Sequence, residues 1–301
     1  MRDIQVDYSE ALDYPLSSAG DYFTLLKPRV MYLVIFTSLV GMFLAPGKVT
    51  PLVFFACLFA IALGSGAAGA FNMWYERDID AKMTRTKLRP IPTGLICESD
   101  ALNFSLVCAI ISIMILFLSS NLTASLLLML AMLVYGGLYT MYLKRRSVQN
   151  IVIGGLSGAL PPLIGWASVT GTISLEPIIL VLIIFLWTPP HFWALSINKV
   201  EEYRLAGIPM LSNVKGIKHT KLNILIYSII LFFTSLLPYG LGFTSIVYLF
   251  ATVLLGLRFV YLAWILYLSK TSEPAMRVFG FSIFYLFGLF SSLLIAQVFD
   301  I

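Results

Sequence analysis

The stretch NMWYERDIDAKMTRTKLRPIPTG, residues 72–94, is where the apolar part of this sequence first gives way to charged side chains. It follows an apolar run, Pro51–Phe71, that is long enough to cross a bilayer. Asn72, Glu76 and Asp80 recur at every fourth position, which places them on one face if the helix continues beyond that run. Amide and carboxylate oxygens on one face are suitable ligands for a hard cation such as Mg²⁺. The stretch therefore predicts a metal site at the end of a membrane helix.

Basic side chains follow this stripe directly. They are Lys82, Arg85, Lys87 and Arg89. Such a group is the ordinary basic flank that fixes the orientation of a membrane helix, whereas acidic residues contribute little to orientation and need another explanation. A diphosphate bridged by Mg²⁺ requires both kinds of residue, because oxygen ligands hold the metal and cations bind the phosphate oxygens. We interpret the oxygen-bearing stripe as a site and leave the bases open between the two roles.

The composition indicates a membrane protein. Of the 301 residues, 59% are hydrophobic and 12% are charged, with a mean hydropathy of +0.91, a balance that soluble domains of this size do not have. The net charge of +5 is explained by orientation and anionic lipid headgroups, so nucleic-acid binding is excluded. Met1–Tyr22 is acidic, unlike a transit or signal peptide. We predict a cytoplasmic tail at 1–22 and one membrane domain at 23–301, in the inner membrane of a bacterium.

Nine apolar runs approach the roughly 20 residues that span a bilayer. They are Val30–Ala45, Pro51–Phe71, Ala101–Leu118, Leu122–Leu143, Val148–Val169, Pro177–Ile197, Leu222–Leu241, Ser245–Leu268 and Phe279–Val298. No stretch alternates as a membrane strand does, so we predict an all-α polytopic bundle of nine transmembrane helices around a cavity that faces the cytoplasm. Bases concentrate in the loops after even-numbered runs, which places the N-terminus inside and the C-terminus outside. The pairs Pro161–Pro162 and Pro189–Pro190 are each expected to break or kink a helix.

A second polar group follows the sixth run. Asn198 and Glu202 repeat the spacing of Asn72 and Glu76, and an offset of four helices leaves both sets on the same side of the membrane. Two half-repeats of this kind predict that the sets face each other across a cavity. His191 lies about two turns inside the same run, where an ionisable group is costly and is by default a functional candidate. The alternative is a neutral histidine that is hydrogen-bonded to a carbonyl freed by the neighbouring prolines.

These motifs resemble those of the UbiA-type intramembrane prenyltransferases. The resemblance rests on the opening stretch and on NIVIGGLSGALPPLIGW (150–166), TPPHFWALSI (188–197) and YRLAGIPML (203–211), and with the helix count it covers nearly the whole chain. Within that family the sequence is most similar to the members that farnesylate heme. The resemblance implies a nine-helix fold of this type. It also implies transfer of a farnesyl group from farnesyl diphosphate to a vinyl group of heme B, with Mg²⁺ as the cofactor and heme B as a substrate.

The resemblance also assigns roles to individual residues. Asn72, Glu76 and Asp80 match the first metal-binding motif of the family, whose middle residue is usually Asp, and Asn198 and Glu202 fall at the second. The longer carboxylate at 76 and the amide at 198 leave direct metal ligation by these two open. The implied metal ligands are Asn72, Glu76, Asp80 and Glu202. The implied diphosphate contacts are Arg85, Lys87, Arg89, Lys144 and Arg145.

His191 matches a histidine that the resemblance places near the porphyrin, with the iron as a candidate partner. Besides the two substrates and the lipid bilayer, the implied partners are a heme A synthase or a terminal oxidase. Two other functions stay open. A prenyltransferase for a quinone precursor would share the first motif, and a transporter would also have half-repeats and broken helices, although carboxylates at one membrane face rather than at the midplane argue against it. Asp78 and Arg258 are left unassigned.

Overall fold

The computed structural model describes residues 17–299, and over that range it contains only helices and the loops between them. The helices are α1 Ala19–Leu25, α2 Pro28–Leu44, α3 Pro51–Tyr75, α4 Arg77–Asp80, α5 Glu98–Ser119, α6 Leu122–Leu133, α7 Asn150–Ala159, α8 Pro161–Thr170, α9 Leu175–Asn198, α10 Val200–Leu205, α11 Leu211–Val214, α12 Ile217–Ser235, α13 Leu237–Gly240, α14 Ile246–Leu268 and α15 Pro274–Phe299. α6 continues directly into a π-helical segment, Val134–Leu143.

The membrane spans correspond to the predicted apolar runs. Within residues 17–299, eight helices or pairs of consecutive helices are long and apolar enough to cross a membrane, and α1 with α2, bent by 58°, makes a ninth candidate when counted as one span. The prediction of an all-α bundle with nine runs is therefore confirmed. The predicted tail lies mostly outside the described residues, and its last four residues, Ala19–Tyr22, belong to α1. The division into a tail and a membrane domain stays a prediction.

Consecutive spans run in opposite directions, so their connections alternate between two faces. We call the face that carries 76–97, 144–149, 199–216 and 269–273 the basic face. We call the face that carries 45–50, 120–121, 171–174 and 241–245 the far face. The only base in these far-face loops is Lys48. The predicted asymmetry of charge thus coincides with the two ends of the bundle.

Apolar clusters and direct backbone contacts hold the spans together. One cluster joins α2 to α9, α12, α14 and α15, and another joins α2 to α3, α6 and α8. A Cβ atom added to Gly41 would lie 2.0 Å from the carbonyl oxygen of Pro162, and one added to Gly165 would lie 2.1 Å from that of Ser38. The backbones of α2 and α8 are therefore in contact, as small residues allow between membrane helices.

Only one of the two proline pairs breaks its helix. α7 ends at Ala159 and α8 begins at Pro161, with Leu160 between them. A break is expected at this point because proline has no N–H donor. α9 runs through both Pro189 and Pro190 without interruption, so the helix is not broken there, and a kink at these prolines stays a prediction. α9 packs against α7, α12 and α15, and such neighbours allow membrane helices to tolerate internal prolines.

Candidate active site

The predicted stripe keeps its alignment although the helix is interrupted. α3 ends at Tyr75 and Glu76 caps it, but helical bonds continue, with the Glu76 N–H donating to the Asn72 carbonyl at 3.0 Å and the Asp80 N–H to the Glu76 carbonyl at 2.8 Å. The exposed fractions of Asn72, Glu76 and Asp80 are 2%, 1% and 3%. Three oxygen-bearing side chains are therefore buried at the basic face.

Each member of the stripe is paired with one base from another part of the chain. The pairs are Lys27 Nζ with Asn72 Oδ1 at 2.5 Å, Lys144 Nζ with Glu76 Oε2 at 2.5 Å and Arg89 Nη1 with Asp80 Oδ2 at 2.6 Å. We call these six residues the buried cluster. A carboxylate is costly to remove from water unless it is paired and hydrogen-bonded, so the bases account for the burial of the stripe.

Lys27 reaches the cluster from the bend between α1 and α2. Its φ of 55° is the only positive φ at a non-glycine residue in the described part of the chain, and this conformation costs roughly 1–2 kcal/mol. The conformation is also unusual because Pro28 follows, and the residue before a proline is normally extended. Lys27 Nζ lies 5.9 Å from the centroid of the Tyr135 ring. Strain of this kind is typical of functional sites.

The π-helical segment supplies the opposite side of the cluster. The Lys144 N–H donates to the Tyr139 carbonyl at 2.9 Å, and the Asn72 amide donates to the Thr140 hydroxyl at 3.0 Å. Lys144 Nζ also lies 5.7 Å from the centroid of the Tyr139 ring. π-helical turns are rare and occur frequently at functional sites. The segment fixes the direction in which Thr140 and Lys144 point.

The donors of the buried cluster fit a magnesium ion that arrives with a diphosphate. Glu76 Oε1 is buried and has no hydrogen-bond partner among the described residues, so it is an available oxygen ligand. The described residues contain no group of three His, Cys, Asp or Glu side chains that could hold a metal by themselves. Mg²⁺ is commonly bound by one or two carboxylates together with substrate phosphates and water. Glu76 and Asp80, with the amide of Asn72, match that pattern.

The second polar set lies on the same face but outside the buried cluster. The Asn198 amide donates to the Ala194 carbonyl at 3.4 Å, and Glu202 pairs with Lys199 at 2.6 Å. The two polar sets are nevertheless adjacent, because side chains after α3 and side chains around α10 share one apolar cluster. Its members include Ile79, Met83, Tyr203, Ile208 and Met210. Metal ligation by Asn198 and Glu202 stays a prediction.

The five predicted diphosphate contacts separate into two groups. Arg89 and Lys144 belong to the buried cluster, whereas Arg85 and Lys87 are exposed. Arg145 is also exposed and donates to both carboxylate oxygens of Asp78, at 2.6 and 3.0 Å. Partial burial alone would raise the pKa of Asp78, but the hydrogen bonds and charge of Arg145 hold that pKa below its usual range. Asp78, left unassigned from the sequence, thus forms a surface ion pair.

His191 is held between α9 and α15. Its ring stacks between those of Trp187 and Phe279, with centroids 4.4 and 4.6 Å away, and its Nδ1 lies 2.6 Å from Ser282 Oγ. In the tautomer with hydrogen on Nδ1, the Ser282 hydroxyl accepts from that N–H and donates its own proton to the Phe279 carbonyl at 2.6 Å. The Nε2 lone pair is then free for a ligand, which is the arrangement common in metal-binding histidines.

An apolar cavity of about 120 Å³ lies beside the buried cluster. Lys27 is the only charged residue in the described part of its lining, and Tyr135 lines it as well. Farther in, the lining includes Ile61, Leu128 and Ile164. The cavity and the cluster together suit a ligand with an anionic head and an apolar chain.

The model of the UbiA prenyltransferase family matches residues 34–289. This chain belongs to the UbiA prenyltransferase family. The relatives of this UbiA-family chain include the protoheme IX farnesyltransferase of Rickettsia bellii, 49% identical over 282 residues that cover 93% of this chain and 94% of the relative. They also include that of Ehrlichia ruminantium, 50% identical over 290 residues that cover 96% and 98%.

Solved structures share the fold of this UbiA-family chain. A digeranylgeranylglyceryl phosphate synthase has a TM-score of 0.78 at 18% identity, covering 93% of this chain and 98% of the other. A UbiA homologue from Aeropyrum pernix has a TM-score of 0.68 at 20% identity, covering 90% and 98%. A homologue from Archaeoglobus fulgidus bound to GPP and Mg²⁺ has a TM-score of 0.64 at 13% identity, covering 91% and 99%. The predicted UbiA-type bundle is confirmed.

Some members of the site were not found from the sequence of this UbiA-family chain. They are Lys27 and Thr140, which belong to none of the predicted motifs. The lysine has one sequence signal, since Pro28 marks a helix start directly behind it. Thr140 has none, because its contact with Asn72 joins residues 68 positions apart.

Proposed function

We propose that this protein transfers the farnesyl group of farnesyl diphosphate to a vinyl group of heme B, giving heme O for terminal oxidases. Relatives of 49–50% identity over more than nine-tenths of both chains are named protoheme IX farnesyltransferases. The observation that carries the proposal is the buried cluster beside the apolar cavity. Water supplies the hydroxyl group of the hydroxyethylfarnesyl product.

The bases of the buried cluster bind the diphosphate. Lys27, Lys144 and Arg89 face the stripe, so phosphate oxygens that enter the cluster meet three cations at once. A guanidinium offers bidentate hydrogen bonds to phosphate, whereas each lysine acts as a point charge. Asn72, Glu76 and Asp80 would hold Mg²⁺, which would stabilise the negative charge on the departing diphosphate. We also assign Asn198 and Glu202 to this metal-diphosphate site as outer ligands.

The apolar cavity holds the farnesyl chain. Its lining excludes water from the allylic carbon, where positive charge develops as the bond to the diphosphate oxygen breaks. Tyr135 lines the cavity beside Lys27, and the face of an aromatic ring attracts a cation. Exclusion of water at this stage lets the vinyl group attack the allylic carbon first.

His191 positions the heme. Its free Nε2 is a suitable axial ligand for iron, and Ser282 fixes the orientation of the ring. His191 lies seven residues before Asn198, about 10 Å along α9 at 1.5 Å per residue. A porphyrin bound there would lie deeper in the bundle than the diphosphate, on the same side of the membrane.

We propose that the protein lies in the bacterial inner membrane with the basic face toward the cytoplasm. The concentration of Lys and Arg on that face supports this orientation. Both substrates are then taken from the cytoplasmic side or from the lipid bilayer. A heme A synthase or a terminal oxidase is the proposed partner that receives the product.

Membranes that contain the protein provide the decisive assay. Incubated with heme B and farnesyl diphosphate, they should form heme O, detected by chromatography, and EDTA or Asp80→Asn should abolish this conversion. Conversion that survives both treatments contradicts the metal-diphosphate assignment. Prenylation of 4-hydroxybenzoate in place of heme B would assign a quinone-precursor acceptor instead.

The role of His191 is tested on the heme-loaded protein. His191→Phe keeps an aromatic ring between Trp187 and Phe279 but removes the nitrogen ligand, so the Soret absorption band should shift while the thermal unfolding midpoint changes little. The exposed His219, changed to Gln, is the matched control. An unchanged spectrum in His191→Phe would exclude iron ligation.

A further inference from the structure

A second cavity, of about 280 Å³, lies at the far face. It is enclosed by the far-face ends of α2, α8, α9, α13 and α15, at the opposite ends of the spans from the buried cluster. Its lining is apolar except for Trp166, Glu176 and Gln297. The proposed reaction uses none of these residues.

Two buried polar side chains of this cavity lack partners within residues 17–299. Trp166 is only 5% exposed, and no described residue accepts a hydrogen bond from its indole N–H. Glu176 Oε2 is buried without a donor, and within the described residues Glu176 forms no ion pair. Buried polar atoms in proteins are nearly always paired. The cavity therefore presents one free donor and one free acceptor to whatever occupies it.

Hydroxyl groups in the loops beside the cavity also lack hydrogen-bond partners among the described residues. The buried side-chain oxygens without a partner include Ser174 Oγ, Thr244 Oγ1 and Ser245 Oγ. Ser174 precedes Glu176 by two residues, and Thr244 follows Phe243, which lines the cavity. The unpaired atoms thus gather around one place on the far face.

The chemistry of the lining selects the occupant. Among the described residues that line the cavity, Glu176 alone is charged, so the acceptor favours a cation that can donate hydrogen bonds. A divalent metal does not fit, because Glu176 is the single carboxylate among the described lining residues and hard divalent ions need about six oxygens. The indole N–H favours an anionic oxygen near that cation. A primary ammonium and a phosphate joined by a short linker provide both.

We propose that the far-face cavity binds the head group of an aminophospholipid, with its ammonium group on Glu176 and a phosphate oxygen on the indole N–H of Trp166. Exposed residues at the rim, Pro46, Gly242 and Gln297, open the cavity at the membrane surface, where head groups lie. Apolar lining residues such as Leu44 and Leu293 leave an apolar route for the acyl chains. The site is independent of the farnesyl-transfer proposal.

The test compares three lipids on the purified full-length protein in detergent. Short-chain phosphatidylethanolamine, phosphatidylcholine and phosphatidylglycerol with identical acyl chains are titrated, and the thermal unfolding midpoint is measured. A ligand that binds only the folded state raises the midpoint as its concentration exceeds its Kd. The ethanolamine lipid should raise the midpoint at about tenfold lower concentration, because a quaternary amine has no N–H donor and the glycerol head group has no cation.

Two variants and one control connect the effect to the cavity. Glu176→Gln should remove the preference for the ethanolamine lipid, and Trp166→Phe should weaken it. Glu273→Gln removes an exposed carboxylate at the basic face and should leave the preference intact. If Glu176→Gln does not fold, Trp166→Phe is compared with the wild type by native mass spectrometry. Weaker retention of the ethanolamine lipid supports the proposal, and equal retention overturns it. Equal shifts with all three lipids, or an unchanged preference in the folded variants, overturn the proposal. An equal shift with free ethanolamine shows that the site takes a soluble amine and overturns the lipid assignment.

Discussion

Two polar sets with the same spacing occupy the same face of this bundle in different environments. Glu76 is 1% exposed and pairs with Lys144, 68 positions away in the chain. The side chain of Glu202 is 24% exposed and pairs with Lys199, three positions away. Equal spacing therefore places the members of each set on one face of a helix. Whether the carboxylate is buried depends on whether its partner base comes from a distant segment or from the neighbouring turn.

The difference between these sets has energetic consequences. A surface pair between neighbouring turns contributes only a few tenths of a kcal/mol to stability. Breaking a buried pair by removing one partner costs about 3–5 kcal/mol, because the remaining charge has no compensation. The same substitution should thus have unequal effects in the two sets.

Glu76→Gln against Glu202→Gln is the strongest test of this comparison. The first variant leaves Lys144 buried without a counter-charge and removes a candidate metal ligand, so heme O formation should fall by about 10²–10³-fold, comparable to losing one group that stabilises transition-state charge. The second should reduce it by roughly tenfold, as expected for an outer ligand on an exposed pair. Chromatography of hemes, normalised to the amount of folded protein, measures both. Equal losses would mean that the second set acts as directly as the first.

Lys144→Gln against Arg145→Gln compares two adjacent bases that were predicted to have the same role. Lys144 belongs to the buried cluster, whereas Arg145 is paired with Asp78 at the surface. We expect a loss of activity of about 10²-fold for the first, the lower end of the range measured for removal of one electrostatic contact, and less than about threefold for the second. Inhibition by inorganic pyrophosphate should weaken only in Lys144→Gln. The reverse order would place the diphosphate at the surface.

Lys27→Gln against Arg29→Gln tests whether the strained lysine is a member of the site. The KM for farnesyl diphosphate should rise by about tenfold in Lys27→Gln, since one charge-assisted contact contributes roughly 1.5–3 kcal/mol. Arg29 is exposed, and its replacement should leave the KM unchanged. If the KM of both variants equals that of the wild type, Lys27 contributes only to the orientation of the protein in the membrane.

Asp78→Asn gives the smallest expected effect. The pKa of Asp78 is lowered in the folded protein, where Arg145 offsets the opposing effect of partial burial. A lowered carboxyl pKa contributes stability above the unfolded pKa, and that contribution is lost as pH falls through the folded pKa. The wild type should be more stable than Asp78→Asn by at most about 1 kcal/mol near pH 7, because the pair is exposed. Unfolding midpoints should converge below about pH 4, close to the usual Asp pKa; a gap that persists in acid would contradict the ion-pair explanation.

The features predicted correctly from the sequence depend on short-range patterns. The spans follow from runs of apolar residues, and the stripe of Asn72, Glu76 and Asp80 follows from a four-residue period. The features that were missed depend on contacts between distant segments. Lys27 and Asn72 are 45 positions apart, and nothing in the sequence distinguishes Lys144 from Arg145 beside it. Pro190 stays within a helix for the same reason, because surrounding helices decide the outcome.

The π-helical segment Val134–Leu143 makes the site sensitive to a type of change that hydropathy does not detect. Each residue turns an α-helix by about 100°, so removing one residue from α6, which precedes the segment, would turn Lys144 away from Glu76 while the span stays just as apolar. Membrane insertion would then proceed normally and chemistry would be lost. The number of residues between the far-face start of α6 and Lys144 is therefore under functional constraint, whereas many side chains along that distance are free to vary.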